Sequence, residues 1–216
     1  MALNTFKKIQ KPLIIILLVL LADQILKIWV KTDFMLGESI PVAGNWFYLS
    51  FVENNGMAFG IEFGGEFGKL FLSLFRIVVV GFMTWFLFKS ASKSTLHPGL
   101  VTSFSFIVAG AIGNIIDSAF YGLIFNDSFG QVATLFPPDG GYAGFLHGHV
   151  VDMFYFPIID STFPDWLPFW GGEHFIFFSP VFNLADASIT TGAGIFLIYQ
   201  KHFFNDKKKE ELKEEA

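Results

Sequence analysis

Long apolar stretches dominate the pattern of the chain, and four of them stand out, at residues 12–30, 70–88, 100–119 and 180–200. Each has about the twenty mostly apolar residues that a helix needs to cross a bilayer. The fourth is preceded by Ser179 and opens with Pro180, a typical N-cap residue followed by proline, which predicts a helix start there. The pattern therefore predicts four transmembrane helices, with outer loops at residues 31–69 and 120–179.

The first apolar stretch also fits the early part of a cleaved signal peptide, because Lys7, Lys8 and Lys11 precede it. However, no Ala-x-Ala cleavage site follows, and the apolar run continues to Val30. We therefore interpret it as a retained span.

The lysines predict the orientation of the spans. Ten of the thirteen lie before the first span, between the second and third spans at Lys89 and Lys93, and in the tail at residues 201–216, whereas residues 120–178 contain no lysine or arginine. Cytoplasmic loops carry the excess of Lys and Arg. Both termini are therefore predicted to be cytoplasmic, and the two long loops are predicted to face outward.

The outer loops have a pattern of their own. The run WFYLSFV at residues 46–52 is aromatic and β-branched and is bounded by turn residues, so it predicts a strand. The rest of the outer sequence is rich in Gly, Phe and Pro. Such aromatic loops are expected at the level of the lipid headgroups, where Trp and Tyr are favoured.

The composition agrees with a membrane protein. Hydrophobic residues make up 53% of the 216 residues and charged residues only 15%, against about 25% in soluble domains. The net charge of −5 gives no reason to expect nucleic-acid binding, which relies on clustered Lys and Arg. With no cysteine in the chain, disulfides, thiolate zinc sites and a cysteine nucleophile are excluded.

All four apolar stretches contain charged side chains, and within a bilayer each charge is costly and needs an explanation. Asp23 and Lys27 are four residues apart and share a helix face. They form either a local ion pair, with Lys27 extending toward water, or a pair retained for function. Arg76, with Ser73 on its face, is expected to extend its guanidinium to the membrane surface.

Asparagine and aspartate recur at the outer ends of the last two stretches. Gly110, Asn114 and Asp117 follow at helical spacing and form one stripe, and Asn183 and Asp186 lie three residues apart on one face. Small residues around Gly110 predict close approach of another helix. Packing does not account for the polar members of these stripes, which need polar partners.

A further carboxylate, Asp152, lies in an apolar run of the outer sequence, flanked by Val151 and Met153. Asp152 and Asp186 are both predicted at the outer side and are candidates to meet in space. Two carboxylates held close together share a proton. The ionised member takes a proton from water while the neutral one donates to a peptide carbonyl, as in aspartic proteases.

The chain resembles the lipoprotein signal peptidases (signal peptidase II), bacterial aspartyl peptidases of the inner membrane. The resemblance rests on motifs that occur in the family's order along four predicted spans: DQILK at 23–27, NNGMAF at 54–59, GAIGNIID at 110–117, GHVVDM at 148–153 and FNLAD at 182–186. Each is weak to moderate alone, and together they are specific.

The resemblance implies an all-α polytopic membrane protein of four transmembrane helices with a small extracytoplasmic β-sheet cradle, forming one peptidase domain over residues 1–216. Such a protein lies in the bacterial inner membrane and works as a monomer, with no metal or other cofactor, near the extracytoplasmic face. It removes the signal peptide from a prolipoprotein, on the N-terminal side of a cysteine that carries diacylglycerol, and its partners are this substrate and membrane lipid.

The same resemblance implies roles for individual residues. Asp152 and Asp186 match the catalytic dyad. Asp117 and the first-span pair, Asp23 and Lys27, match supporting or substrate-positioning residues. The remaining matches are positions that shape or line the site: Asn54, Gly56, Gly110, Asn114, Asn183 and Ala185.

Two departures from the family pattern are visible. The third-span motif commonly continues from its aspartate into arginine, but Ser118 stands here, so a bidentate donor is missing. Arg76 is a candidate substitute. The loops at residues 121–148 and 157–178 are longer than usual and are predicted to cover the site or contact substrate. Deletion of residues 128–139 is then expected to change rate or substrate preference.

Three alternatives remain open from the residues alone. His147, His149 and Asp152 are metal-ligand types, with Glu173 and His174 downstream, but the HExxH pattern of helical zinc sites is absent. A Ser–Lys peptidase would require a serine near the first-span lysine, and no nucleophile elbow is present. Intramembrane polar residues also occur in transport and lipid-binding proteins.

Overall fold

The computed structural model describes residues 2–55, 65–177 and 179–214. The chain begins with a long helix, α1 (Ala2–Asp33). Two strands follow it, and after them come two more long helices, α2 (Gly65–Lys93) and α3 (Pro98–Ile116). A π-helical turn (Asp117–Tyr121) and a single turn, α4 (Gly122–Ile124), extend α3. The last helix is α5 (Leu184–Glu214).

The strands occupy the two outer stretches of the sequence. Four of them form an antiparallel sheet in the order β1-β2-β3-β6, from β1 (Ser39–Ala43), β2 (Phe47–Asn54), β3 (Val150–Tyr155) and β6 (Val181–Phe182). The other two, β4 (Ile159–Thr162) and β5 (His174–Phe177), form an antiparallel pair. The strand predicted at residues 46–52 is thus confirmed as β2, whereas "all-α" understates the strand content.

Three helices of the described residues are long and apolar enough to cross a membrane, Phe6–Asp33, Phe67–Lys93 and Pro98–Ile124. They coincide with the first three predicted spans. A fourth long helix, α5, follows, but it begins at Leu184. The start predicted at Ser179 and Pro180 is wrong, because residues 181–182 pair with Phe154 and Tyr155 as strand β6.

The chain divides into two compact units. The first, here the helical unit, contains α1 up to Ile25, α2 from Glu66, α3 and α5. The second, the sheet unit, contains the end of α1 from Leu26, the strands, and the π-helical turn with the loop that follows it, up to Asn183. Whether the chain acts as one peptidase domain stays a prediction.

Small residues bring α3 and α5 of the helical unit close together, as predicted from the glycines of the third apolar stretch. A Cβ atom built on Gly110 would lie 2.1 Å from the carbonyl oxygen of Ala185, and one built on Gly192 would lie 2.6 Å from that of Ser103. The Ser103 hydroxyl donates to the Gly192 carbonyl at 2.7 Å, and the Ser188 hydroxyl donates to that of Phe106 at 2.8 Å. Backbone contact and side-chain hydrogen bonds thus replace bulky packing, as is common between membrane helices.

The sheet unit has an apolar core of its own beneath β2 and β3. Its buried members come from the end of α1, the two strands and the segment after α3: Val30, Phe34, Phe51, Tyr121, Phe125, Ala133, Val151 and Met153. The register pairs Val52 with Asp152 and Asn54 with Val150. Side chains alternate across a strand, so Val151 and Met153 enter the core and Asp152 faces the other side.

The π-helical turn determines where β3 begins. A π turn leaves backbone groups without the usual helical partners, and here the Ser118 carbonyl accepts a hydrogen bond from the Gly148 amide at 2.9 Å. A Cβ atom on Gly148 would lie 2.2 Å from the Asp117 carbonyl oxygen, so only glycine permits this approach. The loop is thereby attached to the helix end two residues before β3.

We expect Gly192→Ala to destabilise the helical unit, because the added methyl group would press on the α3 backbone. Overpacking of this kind costs about 1–3 kcal/mol. Gly194→Ala is the matched control in the same helix, since a Cβ atom there would meet nothing within 4 Å and alanine favours helix. Thermal unfolding in detergent micelles measures both. Equal melting temperatures for the two variants would contradict close packing at Gly192.

Candidate active site

Asp152 is held by two asparagine amides on the face of the sheet away from the core. The Asn54 Nδ2 atom donates to Oδ2 at 3.1 Å, and the Asn183 Nδ2 atom donates to Oδ1 at 2.7 Å. Asp152 is only 3% exposed, and Asn183 is fully buried. Because Asn54 lies diagonally across the register from Asp152, the pairing of β2 with β3 itself brings donor and acceptor together. Both oxygens of this carboxylate are thus oriented by fixed donors.

Asp186 lies in the first turn of α5, where an acidic group interacts favourably with the helix dipole. The Asn114 Nδ2 atom of α3 donates to its Oδ1 atom at 2.8 Å. Asp186 is partly exposed and also interacts electrostatically with Arg76 of α2. The predicted pairing of the Asn114 stripe with a polar partner is therefore met within the helical unit.

Asp23 is fully buried and supports the start of α5. Its Oδ1 atom accepts a hydrogen bond from the Ala185 backbone amide at 2.8 Å, and its Oδ2 atom accepts one from Gln24 at 3.2 Å. The first amides of a helix have no partner within the helix, so a carboxylate from α1 supplies one. Gly113, whose Cβ atom would lie 2.8 Å from Asp23 Oδ2, leaves room for it. The supporting role assigned to Asp23 stays a prediction.

Lys27 and Asp117 form an ion pair of 2.7 Å in the sheet unit, and both side chains are fully buried. Extension of Lys27 toward water, one of the two interpretations of the sequence, is therefore wrong. The Asp117 Oδ2 atom also accepts a hydrogen bond from the Val151 backbone amide at 3.3 Å. The pair thus links the end of α1 and the π-helical turn to the strand residue next to Asp152.

The remaining predicted residues, apart from Gly56, lie in the described part of the chain. Gly110 and Ala185 are in backbone contact, as given above. Gly56 lies outside the described residues. Ser118, in the position where the family commonly has arginine, is buried in the π-helical turn. Substitution of the missing guanidinium by Arg76 stays a prediction.

Sequence reasoning missed a polar cluster behind β2, which we call the Glu53 cluster: Lys31, Glu53, Ser128, Tyr142 and His149. Lys31 forms an ion pair with Glu53 Oε1 and a hydrogen bond of 2.8 Å with Ser128 Oγ. Ser128 donates to Glu53 Oε1 at 2.9 Å, and His149 Nδ1 lies 3.1 Å from Glu53 Oε2. The Tyr142 hydroxyl accepts a hydrogen bond from the His149 amide at 2.6 Å.

One signal for this cluster was present in the sequence. Lys31 follows Lys27 by four residues, so both cations lie on one face of α1. The partners of Lys31, however, come from residues 22 and 97 positions further along the chain. No local pattern connects segments so far apart.

We expect Lys27 and Asp117 to contribute jointly, not additively, to the free energy of unfolding. Lys27→Met leaves a buried carboxylate without this cation, and breaking such a pair costs about 3–5 kcal/mol. Lys27→Met/Asp117→Asn is expected to cost less than the sum of the single variants, because neither charge is then left behind. Chemical unfolding in detergent measures all three. Additive losses would show that the pair is not coupled.

Glu53 is expected to make the sheet unit sensitive to acid. Burial alone would raise its pKa, but hydrogen bonds with His149, Lys31 and Ser128 and the charge of Lys31 outweigh burial and lower the pKa from 4.5 to about 2. A carboxyl group whose pKa is lowered by folding stabilises the protein above its ordinary pKa. That contribution, on the order of 3 kcal/mol, is lost as the pH falls from about 4.5 to about 2.

Glu53→Gln should therefore reduce the acid dependence of the melting temperature. Glu38→Gln, at an exposed acid whose side chain accepts from the Met35 amide, serves as the control. Melting temperatures of wild type and both variants across the acidic range measure the effect. Parallel curves for wild type and Glu53→Gln would contradict it.

Comparison with known proteins agrees with these motifs. A sequence model of the family described as Signal peptidase (SPase) II matches residues 15–202. The chain is 56% identical over 184 residues to the lipoprotein signal peptidase of Porphyromonas gingivalis, which covers 85% of this chain and 80% of that one. It is 35% identical over 194 residues to the lipoprotein signal peptidase of Amoebophilus asiaticus, and this match covers 89% of this chain and 78% of that one.

Solved structures show a similar fold. A bacterial membrane enzyme determined by the in meso method at 2.3 Å resolution superposes with a TM-score of 0.59 over 92% of each chain, at 22% identity. A second such structure, at 1.9 Å resolution, gives a TM-score of 0.58 at 24% identity. These similarities concern the fold, whereas the family follows from the extent of the sequence match. The chain belongs to the signal peptidase II family of aspartic endopeptidases.

Proposed function

We propose that Asp152 and Asp186 are the catalytic carboxylates with which this peptidase removes signal peptides from prolipoproteins during lipoprotein maturation. The observation that carries the assignment is the setting of Asp152, a nearly buried carboxylate with an asparagine amide on each oxygen. Such fixed donors are typical of groups whose orientation matters for chemistry. Asn183, one of the two donors, precedes Asp186 by only three residues in the chain.

The chemistry that we propose is water activation by a shared-proton pair. The ionised carboxylate removes a proton from water, and the protonated one donates to the carbonyl oxygen of the scissile peptide. Any apparent pKa of activity then belongs to the pair and not to one residue. In this assignment Asn54, Asn183 and Asn114 orient the carboxylates, and Asp23, Lys27 and Asp117 support the backbone that carries them.

The substrate, as the proposal has it, is a diacylglyceryl-modified prolipoprotein, cut on the N-terminal side of the lipidated cysteine. The names of the relatives, lipoprotein signal peptidases, support the prolipoprotein part. Exposed aromatic side chains support contact of the long outer loops with lipid or substrate. Phe129 and Phe136 of the first loop are 83% and 72% exposed, and Trp166 and Phe169 of the second are 78% and 94% exposed.

The proposal includes the placement of the chain in the membrane. α5 serves as a fourth span, so that both termini are cytoplasmic and the carboxylates lie near the extracytoplasmic face of the bacterial inner membrane. The lysine distribution supports this orientation, and three apolar helices of the described residues support a multi-pass protein. The active form is proposed to be a monomer.

We expect Asp152→Asn and Asp186→Asn each to lower cleavage of a diacylglyceryl-modified prolipoprotein at least about a thousandfold, because each removes a proton-transfer group. Asp33→Asn, at an exposed aspartate that ends α1, is the matched control and should retain wild-type activity. The assay uses purified enzyme in proteoliposomes, with melting temperatures recorded for every variant.

The same assay separates the alternatives. Cleavage that resists EDTA argues against a catalytic metal site at His147, His149 and Asp152. Substrate binding without cleavage in Asp186→Asn argues against a transport or lipid-binding protein. Retained cleavage by a well-folded Asp152→Asn or Asp186→Asn protein would mean that the catalytic aspartate lies elsewhere, with Asp117 next to be replaced.

A further inference from the structure

The Glu53 cluster joins segments that are far apart in the sequence at one place in the sheet unit. Lys31 lies in the last turn of α1, and Glu53 lies near the end of β2. Ser128 and Tyr142 belong to the long loop after α4, and His149 directly precedes β3. The Lys31 and Ser128 side chains are fully buried, and that of Glu53 is 8% exposed. The cluster therefore ties the loop and the helix end to the edges of the two central strands.

Stability alone is a poor explanation for a buried ion pair. Removing two charges from water costs about as much free energy as their attraction returns, and apolar replacements are often as stable. Lys31 also makes cation–π contacts with three aromatic rings. Its ammonium group lies 5.8, 5.3 and 5.1 Å from the ring centres of Phe51, Phe125 and Tyr142. An ammonium group with an ion pair, a hydrogen bond and three ring contacts is suited to fixing the relative positions of the segments around it.

The geometry that it can fix is that of the Asp152 site. Glu53 immediately precedes Asn54, the last residue of β2, and pairs in register with Val151, the residue before Asp152. Successive side chains of a strand point to opposite faces. Glu53 therefore holds these two strands from one face, while Asn54 donates to Asp152 on the other.

A strand terminus frays easily unless it is anchored, and Asn54 occupies such a terminus. We propose that Glu53 is a positioning residue, which through Lys31, Ser128 and His149 keeps the end of β2 where the Asn54 amide can donate to Asp152. The inference rests on the catalytic role proposed for Asp152. It assigns a function to Glu53, Lys31 and Ser128, which lie outside the five motifs that carry the resemblance to the family.

The test is a double-mutant cycle in cleavage of the lipidated prolipoprotein. Asn54→Ala removes the donor itself and is expected to lower kcat by about 10²-fold, the usual order for one oriented donor. Glu53→Ala is expected to lower kcat about tenfold with KM within about twofold, because positioning affects the reacting group and not uniform substrate binding. In Glu53→Ala/Asn54→Ala the kcat should equal that of Asn54→Ala, since Glu53 has nothing left to position.

Two further variants keep the test decisive if Glu53→Ala folds poorly. Glu53→Gln retains an acceptor for Lys31 and Ser128 and should keep kcat within about threefold of wild type. Ser128→Ala removes the hydrogen bonds of this hydroxyl with Lys31 and Glu53 but leaves their ion pair in place. Its smaller loss of kcat should also vanish in the Asn54→Ala background. Glu38→Ala, at the exposed acid in the turn before β1, should leave kcat unchanged.

Losses that multiply in the double variants would overturn the inference, because Glu53 and Ser128 would then act independently of Asn54. So would a rise in KM at constant kcat, which would indicate a role in substrate binding. Failure of the proposed catalytic assignment looks different. In that case Asp152→Asn would still cleave, whatever the cycle of Glu53 with Asn54 shows.

Discussion

The ion pair of Lys27 with Asp117 is the interaction on which the rest of the sheet unit depends. Neither charge reaches water, so each requires the other, and the end of α1 and the π-helical turn are therefore held together. Asp117 carries the constraint further, because it also accepts the backbone amide of Val151. The buried carboxylate of Asp117, paired with Lys27, thus positions the strand that carries the proposed catalytic Asp152.

The same rule explains why asparagine and aspartate recur together in this protein. A carboxylate away from water needs donors, and asparagine supplies an N–H group without adding a second charge. Asp152 receives two such amides and Asp186 receives one. In the proposed active site, neutral amides therefore orient the carboxylates, whereas the cations Lys27 and Lys31 form ion pairs with Asp117 and Glu53.

Local signals predicted much of this arrangement, and their failures are instructive. The motif at residues 110–117 correctly indicated close packing, because glycine at helical spacing permits backbone contact in any context. Ser179 and Pro180 indicated a helix start, but residues 181–182 pair with β3 as a strand, and the helix begins only at Leu184. The sequence suggested for Arg76 both an approach to the membrane surface and a substitute role for the missing arginine, and in the structure it interacts electrostatically with Asp186.

By itself, the sequence determined the three apolar spans that the described residues contain, the strand β2 and the family, since each depends on residues close together in the chain or on fixed motifs. The tertiary structure alone decided that Lys27 pairs with Asp117, that Asn54 lies beside Asp152, and that Lys31, Glu53, Ser128 and His149 form one cluster. These partners are tens of residues apart. Strand register and the burial of charge select them, and neither can be read from a local pattern.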